Sequence, residues 1–528
     1  MNIILRNCRV YDGTGNTWYA ADIAVSGDRI ARVGNVSGFS ANEEIDVQGL
    51  AVAPGFIDIH THSDNASFLP KLSKGKIMQG VTTEVIGNCG MSAFPVRAEN
   101  APLLKKYVSS IFGDIEWNWS NLAEFAEVTT SRGIVTNMIP LVGHGSLRIA
   151  AMGFEKRPAA DHEMEFMKKL LAETMEQGAF GLSSGLIYPP GVYSTTEELI
   201  ELCQVVRNYD GIYTTHMRNE SDLVEESVKE AITIGRNSNI SVQISHHKAA
   251  GKQNWGKPKR ITIPQIKKAR EDGVDVDMDL YPYTAGSTLL SVLLPPWCHE
   301  GGVSQMLQRL HVRECRERIR YDMEHGIPGW DNFVKSSGWD QVFVASAKNN
   351  KEIEGKSIEE ISKDRSQDPL TALMDTLIEE DGIATMVVFM MSEEDVRYIM
   401  QQPETMIGSD GIPDPGKTHP RYFGTFARVL GHYTRDEKVL HLEDAIRKMT
   451  SFPAKKLGLK DRGIIREGAY ADLVVFDPKT VADVASYENP SEIAIGFTYV
   501  FVNGYPVVRN GEFNLVKNGI FIKKHNQT

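Results

Sequence analysis

The stretch Pro54-Gly-Phe-Ile-Asp58-Ile-His60-Thr-His62 is a short apolar run that ends in two histidines. Residues two apart in a β-strand point to the same side, so both imidazoles face one point. Similar strand-like runs recur along the chain, and amphipathic helical segments separate several of them. The predicted strands are 55–62, 82–88, 135–143, 179–186, 213–218, 241–248, 275–283 and 405–410. Eight strands alternating with helices predict an α/β fold, a (β/α)₈ TIM barrel, whose functional residues lie at the C-terminal ends of the strands.

A different pattern lies on either side of this alternation. The two ends of the chain consist of short strand-like runs separated by turns such as Asn503-Gly504. We therefore predict a small β-sandwich domain built from residues 1–53 and 464–528, and a catalytic barrel over 54–463. The connection before the last predicted strand is too long for one helical crossover, so we place an inserted lid subdomain at about 295–381.

The composition excludes several classes of protein. Lys plus Arg number 57 and Asp plus Glu 69, a net charge of −12 over 528 residues, so a nucleic-acid partner is not expected. The chain has no run of ~18 apolar residues, and Arg6 comes too early for a secretory signal, so no membrane partner is expected. The five cysteines form no C-x-x-C pair, which fits a reducing cytoplasm. The oligomeric state cannot be read from the sequence.

Residue types that bind metals gather at the predicted C-terminal strand ends. They are His60, His62, Cys89, His216, His246 and Asp410. A single histidine at such a place is usually structural, and a single buried cysteine usually acts as a small apolar residue. Chance would scatter the 14 histidines through loops and helices. Imidazole, thiolate and carboxylate together are a zinc ligand set, so we predict a metal centre at this end of the barrel.

These segments also carry a resemblance to a known family. The stretch 54–62 resembles the first-strand signature of the amidohydrolase superfamily, and 468–477 resembles its C-terminal β-sandwich strand. More narrowly, the chain is similar to the N-acyl-D-amino-acid deacylases, or D-aminoacylases. The matching segments span nearly the whole chain and are 80–90, 181–189, 216–220, 245–248, 281–283 and 408–411.

The resemblance implies both the reaction and the metal. Related hydantoinases, dihydroorotases and isoaspartyl dipeptidases bridge two metals with a carboxylated lysine, but 179–188 contains no lysine. In D-aminoacylases a cysteine takes the bridging place, which here would be Cys89. The implied activity is zinc-dependent hydrolysis of the linear amide of small-molecule N-acyl-D-amino acids. The preference for D substrates comes from the resemblance alone.

The resemblance also divides the predicted ligands between two Zn²⁺ sites. The tight site consists of Cys89, His216 and His246. A second, weaker site consists of His60, His62 and Asp410. Zinc lowers the pKa of water from about 15.7 toward about 7, which supplies a nucleophile for an amide carbonyl. Cleavage also needs a proton on the leaving amine, and we expect Asp410 to carry it from the water to the nitrogen as well as to bind metal.

The substrate of such an enzyme carries a free carboxylate, which fixed cations would bind. Lys248 lies two residues past His246 and points to the same side of that strand. Arg421 lies in a segment that also resembles the family, and Tyr283 could add a third hydrogen bond. Further candidates for polar contacts with the substrate are Ser287 and Tyr188.

Three alternatives compete with this interpretation. Gly181-Leu-Ser183-Ser-Gly185 fits the G-x-S-x-G pattern of serine hydrolases, but Pro189-Pro190-Gly191 blocks the helix that a nucleophile elbow requires. A cyclic amidase or an isoaspartyl dipeptidase would keep the fold, but the missing lysine speaks against both. A non-catalytic assembly protein with this fold would often have lost ligands, whereas every expected ligand is present here.

Overall fold

The computed structural model describes residues 2–113, 115–413 and 416–524. Five strands come first: β1 (Asn2–Val10), β2 (Tyr19–Ser26), β3 (Arg29–Gly34), β4 (Glu43–Asp46) and β5 (Ala51–Pro54). β1 pairs antiparallel with β2 and parallel with β4 and β5. Ile3 and Leu5 of β1 belong to one apolar cluster and Ile4 to another. Successive residues of β1 are thus buried on opposite faces, as the two-residue period of a strand requires.

The middle of the chain holds the barrel. Its strands, with those of the insertion, are β6 (Phe56–Asp58), β7 (Val81–Ile86), β8 (Asn137–Pro140), β9 (Val142–Gly143), β10 (Gly181–Gly185), β11 (Ile212–His216), β12 (Ser241–Ile244), β13 (Val276–Leu280), β14 (Ala285–Leu289), β15 (Val342–Ser346), β16 (Thr385–Phe389) and β17 (Thr405–Ile407). β6, β7 and β8 pair in parallel, and so do β9, β10, β11, β12, β13 and β17 in that order. β8 and β9 are two halves of one strand, interrupted at Leu141. A parallel bridge between Thr61 and Gly411 joins the first strand to the last, which confirms the predicted (β/α)₈ barrel.

Helices cover the barrel and make up most of the insertion. They are α1 (Lys74–Ile77), α2 (Ala101–Phe112), α3 (Leu122–Arg132), α4 (His144–Met152), α5 (Asp161–Glu176), α6 (Thr196–Arg207), α7 (Val224–Ser238), α8 (Ile263–Glu271), α9 (Val303–Leu310), α10 (Arg313–His325), α11 (Phe333–Ser337), α12 (Ile358–Asp364), α13 (Pro369–Glu379), α14 (Glu393–Gln401), α15 (Arg421–Arg428), α16 (Leu442–Met449) and α17 (Ser451–Leu457). In α7, Val224, Val228 and Ala231 are buried at intervals of three or four residues, so one apolar face packs on the barrel. Among the described residues, no helix is both long enough and apolar enough to cross a membrane.

The insertion between β13 and β17 contains its own small sheet. β14, β16 and β15 pair antiparallel in that order. The predicted insert, 295–381, contains α9 to α13 and β15, whereas β14 and β16 lie outside it on either side. Because β14 and β16 pair with each other, they close the base of the insertion next to the barrel.

The last strands of the chain return to the first ones. They are β18 (Leu473–Phe476), β19 (Phe497–Val502), β20 (Tyr505–Arg509) and β21 (Glu512–Phe513). β18 pairs antiparallel with β5, with Val475 opposite Val52. The resulting nine-stranded sheet has the order β21-β20-β19-β18-β5-β1-β2-β3, and β4 pairs with β1. One sheet therefore contains strands from both ends of the chain.

Candidate metal centre

Cys89 lies at the centre of a group of buried imidazoles at the C-terminal end of the barrel. Its Sγ is 3.3 Å from Nε2 of His60, 3.6 Å from Nε2 of His246 and 3.9 Å from Nδ1 of His216. These residues follow or end β6, β7, β11 and β12, and all four are buried. The barrel geometry thus brings residues that are far apart in sequence to one point.

Asp410 completes this group from the last strand. Its Oδ1 lies 3.2 Å from Nε2 of His62 and 3.4 Å from Nε2 of His60. The backbone N–H of Asp410 donates to the carbonyl of His60 at 2.7 Å, and the neighbouring Ser409 N–H donates to Asp58 at 2.8 Å. The first and last strands are therefore joined next to the candidate ligands.

Three of these residues adopt a left-handed backbone conformation, which residues other than glycine and asparagine rarely adopt. The φ angles of Cys89, His246 and Asp410 are +53°, +35° and +49°. Such conformations cost about 1–3 kcal/mol each and gather at functional sites. The turn after Cys89 is also tight, because a Cβ at Gly90 would lie 2.8 Å from the backbone nitrogen of Gly185. This local backbone conformation directs the three side chains toward one another.

The chemistry of the donors fits zinc. One ligand atom each from His60, Cys89, His246 and Asp410 lies within 4.8 Å of the others. Burial alone would raise the pKa of the Cys89 thiol, but the surrounding imidazoles lower it well below its usual value. Thiolate, imidazole and carboxylate are the ligand types that structural and catalytic zinc ions use, and all four side chains here are buried.

Glu220 lies behind two of the histidines, and the sequence reasoning did not identify it. Its Oε1 is 3.1 Å from Nδ1 of His246, and its Oε2 is 3.5 Å from Nε2 of His216. Each imidazole therefore has one nitrogen toward Cys89 and the other toward Glu220. Such a carboxylate fixes the orientation of a ligating histidine and makes it a better donor. The signal in the sequence was an acidic residue four positions after His216.

Asp279, which lies on β13, supports His246 and His60 in a similar way. Its Oδ1 accepts a hydrogen bond from the backbone N–H of His246 at 2.8 Å and lies 3.4 Å from Nδ1 of His60. Asp279 is fully buried. The signal that could have identified it is an aspartate inside the apolar strand Val276–Leu280, because a buried carboxylate needs partners.

Two buried cations border the space beside the histidines. Nζ of Lys248 is 2.6 Å from Oε2 of Glu220, and Nη2 of Arg421 donates to the backbone carbonyl of Ser287 at 2.9 Å. The ring of Tyr281 lies near both cations, 5.8 Å from the Lys248 nitrogen and 4.6 Å from the Arg421 guanidinium carbon. Tyr281 therefore lies near both cations.

Tyr283 lies elsewhere than the sequence led us to expect. Its ring packs 5.1 Å from that of His419 and 5.0 Å from the Arg428 guanidinium carbon. Its hydroxyl is buried and has no hydrogen-bond partner among the described residues. β13 ends at Leu280, so the alternation of a strand does not extend to Tyr283, and Tyr281 is the tyrosine that faces the two cations.

The two further candidates each contact a residue of the site. The ring of Tyr188 lies 5.0 Å from that of His216, and its hydroxyl shares a hydrogen bond of 2.8 Å with Thr288. Ser287 meets Arg421 through its backbone carbonyl. Ser183, the residue of the G-x-S-x-G pattern, bonds instead to the backbone of Gly87 and Gly90, so its hydroxyl holds the turn around Cys89.

Comparisons with known proteins agree with this geometry. The family model described as the amidohydrolase family matches residues 43–319 and 353–508. The D-aminoacylase of Alcaligenes xylosoxydans xylosoxydans is 37% identical over 97% of this chain and 95% of that protein. The N-acyl-D-glutamate deacylase of the same organism is 34% identical over 96% of this chain and 93% of that protein.

A solved structure resembles the whole chain. It is the N-acyl-D-glutamate deacylase of Bordetella bronchiseptica complexed with zinc and a phosphonate inhibitor that mimics the tetrahedral intermediate. The two chains superpose with a TM-score of 0.83 at 32% identity, covering 99% of each. The residues that match the amidohydrolase family model include the strand ends that carry Cys89, His216 and His246. The chain belongs to the amidohydrolase family.

Proposed function

We propose that this protein hydrolyses the amide bond of N-acyl-D-amino acids, releasing a carboxylate and a free D-amino acid. The observation that carries the proposal is the position of the Cys89 sulfur among three buried imidazoles, with two buried cations, Lys248 and Arg421, near the ring of Tyr281. The relatives named D-aminoacylase and N-acyl-D-glutamate deacylase support the substrate class.

Zinc would be held by residues that the barrel brings together. Cys89, His216 and His246 would hold a tightly bound ion. His60, His62 and Asp410 would hold a second ion with lower affinity. When bound, zinc supplies Lewis acidity and makes water nucleophilic near neutral pH. Glu220 and Asp279 would keep the histidine rings in their orientations.

Asp410 is the residue that we expect to move the proton. Its carboxylate is buried beside His60 and His62, and Arg421 lies against its other oxygen. Burial alone would raise the pKa of Asp410, but Arg421 and the histidines hold it well below its usual range. Asp410 is therefore ionised before the reaction. It would accept a proton from the attacking water and deliver it to the leaving nitrogen.

The free carboxylate of the substrate would be bound by Lys248 and Arg421. Both cations are buried, and a charged hydrogen bond in such surroundings contributes about 1.5–3 kcal/mol. The hydroxyl of Tyr281 lies on the same side, 3.9 Å from the sulfur of Met391, and could donate a further hydrogen bond. Holding the carboxylate at fixed points would orient the amide toward the metal centre.

The test is amine release by zinc-loaded protein from matched N-acetyl-D- and N-acetyl-L-amino acids. Turnover of D substrates alone would support the proposal and would give the preferred side chain as well. Hydrolysis of cyclic amides or β-aspartyl dipeptides, without turnover of either N-acetyl series, would assign the protein to another branch of the family. In that case the roles given to Lys248 and Arg421 would be withdrawn.

A further inference from the structure

Asp331 joins the inserted subdomain to the loop that follows β11. It lies between α10 and α11, and its side chain is buried. One carboxylate oxygen accepts a hydrogen bond from the backbone N–H of Glu220 at 2.7 Å, and the other accepts one from the hydroxyl of Ser221. Both donors lie in the loop just after His216, a candidate zinc ligand. The insertion is therefore hydrogen-bonded to the chain beside the metal centre.

Glu220 carries this contact to the zinc ligands. Its carboxylate lies 3.1 Å from Nδ1 of His246, 3.5 Å from Nε2 of His216 and 2.6 Å from Nζ of Lys248. Its backbone is held on two sides, because its N–H donates to the insertion and its carbonyl accepts a hydrogen bond from the Ala250 N–H at 2.7 Å. The position of this backbone decides where the carboxylate meets the two imidazoles, and such a carboxylate orients ligating histidines.

The inserted segment 331–337 also packs against the loop that follows β12. A Cβ at Gly251 would lie 2.9 Å from the Cβ of Ser336, so the two chains meet without room for a side chain. On the other loop, Nζ of Lys335 lies 3.9 Å from Oδ2 of Asp222. One short segment of the insertion therefore contacts both loops that leave the strands of the predicted tight-site histidines.

The contact lies away from solvent. Glu220, Ser221 and Asp331 are 1%, 3% and 4% exposed. Loss of the Asp331 carboxylate would leave a buried N–H without its acceptor, which is unfavourable unless the loop moves to find another. Movement of the loop would shift the Glu220 carboxylate away from the imidazoles. The metal centre should therefore respond to a change made in the insertion.

Asp331 is not among the residues that match the amidohydrolase family model. The matched residues end at 319 and begin again at 353. The contact between Asp331 and Glu220 is therefore a property of this chain's own inserted segment, which the family match does not imply.

We propose that Asp331 is a positioning residue for the zinc ligands. By fixing the backbone of Glu220, it keeps the Glu220 carboxylate against His216 and His246. Zinc binding and the packing of segment 331–337 on the barrel would then stabilise each other, because coupling between two binding events is reciprocal. The inference rests on the proposed zinc-dependent function but not on the identity of the amide substrate.

The experiment measures zinc affinity by competition with a chelating dye. Asp331→Ala removes both acceptors. Asp331→Asn keeps the contacts, because an amide oxygen can accept from the Glu220 N–H and an amide nitrogen can donate to the Ser221 oxygen. Asn332→Ala is the control. Asn332 is the buried neighbour, and its recorded side-chain hydrogen bonds, with the Met323 carbonyl and the Lys335 N–H, stay inside the insertion.

We expect Asp331→Ala to bind zinc about 3- to 10-fold more weakly than wild type, as for other residues that act through a network. Asp331→Asn and Asn332→Ala should bind zinc as the wild type does. Wild-type affinity in a folded Asp331→Ala protein would overturn the proposal. An equal loss in Asn332→Ala would also overturn it, because that result describes general damage to the insertion.

A double variant tests whether the effect passes through Glu220. In a Glu220→Gln background, Asp331→Ala should weaken zinc binding by a smaller factor than it does in wild type, because the carboxylate that it positions is already gone. Fully additive losses would contradict this route.

Hydrogen exchange of the wild type tests the same coupling without any substitution, should Asp331→Ala fail to fold. Zinc loading should slow amide exchange in peptides that cover 331–337 more than in peptides that cover α12 of the same insertion. Equal changes in both, or no change in either, would contradict the coupling. A protein that binds zinc but hydrolyses no amide would contradict the proposed function and leave these readouts intact.

Discussion

Nη1 of Arg421 lies 2.8 Å from Oδ2 of Asp410. The residue expected to bind the substrate carboxylate therefore also contacts the residue expected to carry the proton. Both side chains are buried, so each depends on the other for its charge to be tolerated. We therefore expect substrate binding and proton transfer to be coupled at this pair.

Replacing Arg421 with methionine should raise KM roughly 10- to 100-fold, since a charged hydrogen bond contributes about 1.5–3 kcal/mol. Steady-state kinetics with an N-acetyl-D-amino acid measures this. Arg428→Met is a matched control, because Arg428 pairs with Asp483 at 3.1 Å outside the metal centre. An unchanged KM in Arg421→Met would remove this residue from the substrate site.

Asp410→Asn should keep the tight zinc and lose about 10²–10⁴-fold in kcat, the usual contribution of a positioned acid or base. Zinc content by mass spectrometry and turnover would be measured on the same sample. Asp483→Asn, which changes the aspartate of the Arg428 pair, should leave kcat within a few-fold of wild type. Wild-type turnover by a zinc-replete Asp410→Asn protein would contradict the proton-carrying role.

Cys89→Ser should lose zinc during dialysis against a weak chelator under conditions in which the wild type retains it. The reason is that a hydroxyl is a far poorer ligand than the thiolate that the imidazoles stabilise here. Cys203→Ser is the control, because Cys203 is buried in α6 and burial raises the pKa of its thiol. Equal zinc retention by both variants would exclude Cys89 as a ligand.

Glu220→Gln should weaken zinc binding about 10- to 100-fold, as expected when the partner of a ligating histidine is changed. It should also raise KM, because Lys248 loses the carboxylate that lies 2.6 Å away. Zinc affinity from competition with a chelating dye, together with KM, checks both effects. Glu230→Gln, which alters the Arg218 pair at 2.9 Å, is the control and should change neither quantity.

The buried carboxyl group of Asp331 should make the free energy of unfolding depend on pH. It is fully buried and accepts hydrogen bonds from the Glu220 N–H and the Ser221 hydroxyl, and burial raises its pKa to about 6. A raised carboxyl pKa stabilises the fold at pH values below the unfolded pKa, and this contribution is lost as the pH rises through 6. Asp331→Asn cannot ionise, so its stability relative to wild type should increase by about 2 kcal/mol between pH 4.5 and 8.

Melting temperatures of wild type and variant at several pH values would show this trend. Asp368→Asn is the comparison within the same inserted segment. Burial opposes ionisation of Asp368, but hydrogen bonds from Arg320 and Thr371 lower its pKa to about 2. The difference between Asp368→Asn and wild type should therefore stay constant from pH 4.5 to 8. If the difference between Asp331→Asn and wild type were also constant, the raised pKa of Asp331 would be contradicted.

The barrel was predictable because each strand is a short buried run that ends near polar residues. β11 is an example, since Ile212–His216 is buried throughout and ends on a candidate ligand. The small sheet of the insertion was not predictable in the same way. β14 contains Gly286 and Ser287 and has no apolar alternation, and its partner β16 lies about a hundred residues later. Pairing over such a distance leaves no local pattern.

The candidate ligands were predictable because they follow strands, whereas their supports were not. Glu220 lies in the loop after His216, and only the folded loop shows that it returns to both imidazoles. The choice between Tyr281 and Tyr283 also needed the structure. Strand periodicity places both on one side, but the strand ends at Leu280 before it can orient either.

The sheet that unites both chain ends has a consequence for synthesis of the protein. β5 leaves the ribosome early, but its neighbour β18 is more than four hundred residues further along the chain. At about 5–20 residues per second, this interval lasts roughly 20–80 s. Throughout it β5 is an open strand edge on the nascent chain, and open edges pair with other molecules. Yield in a recombinant host should therefore depend on chaperones and on slow translation, and nonsense mutations before β18 should give aggregated product.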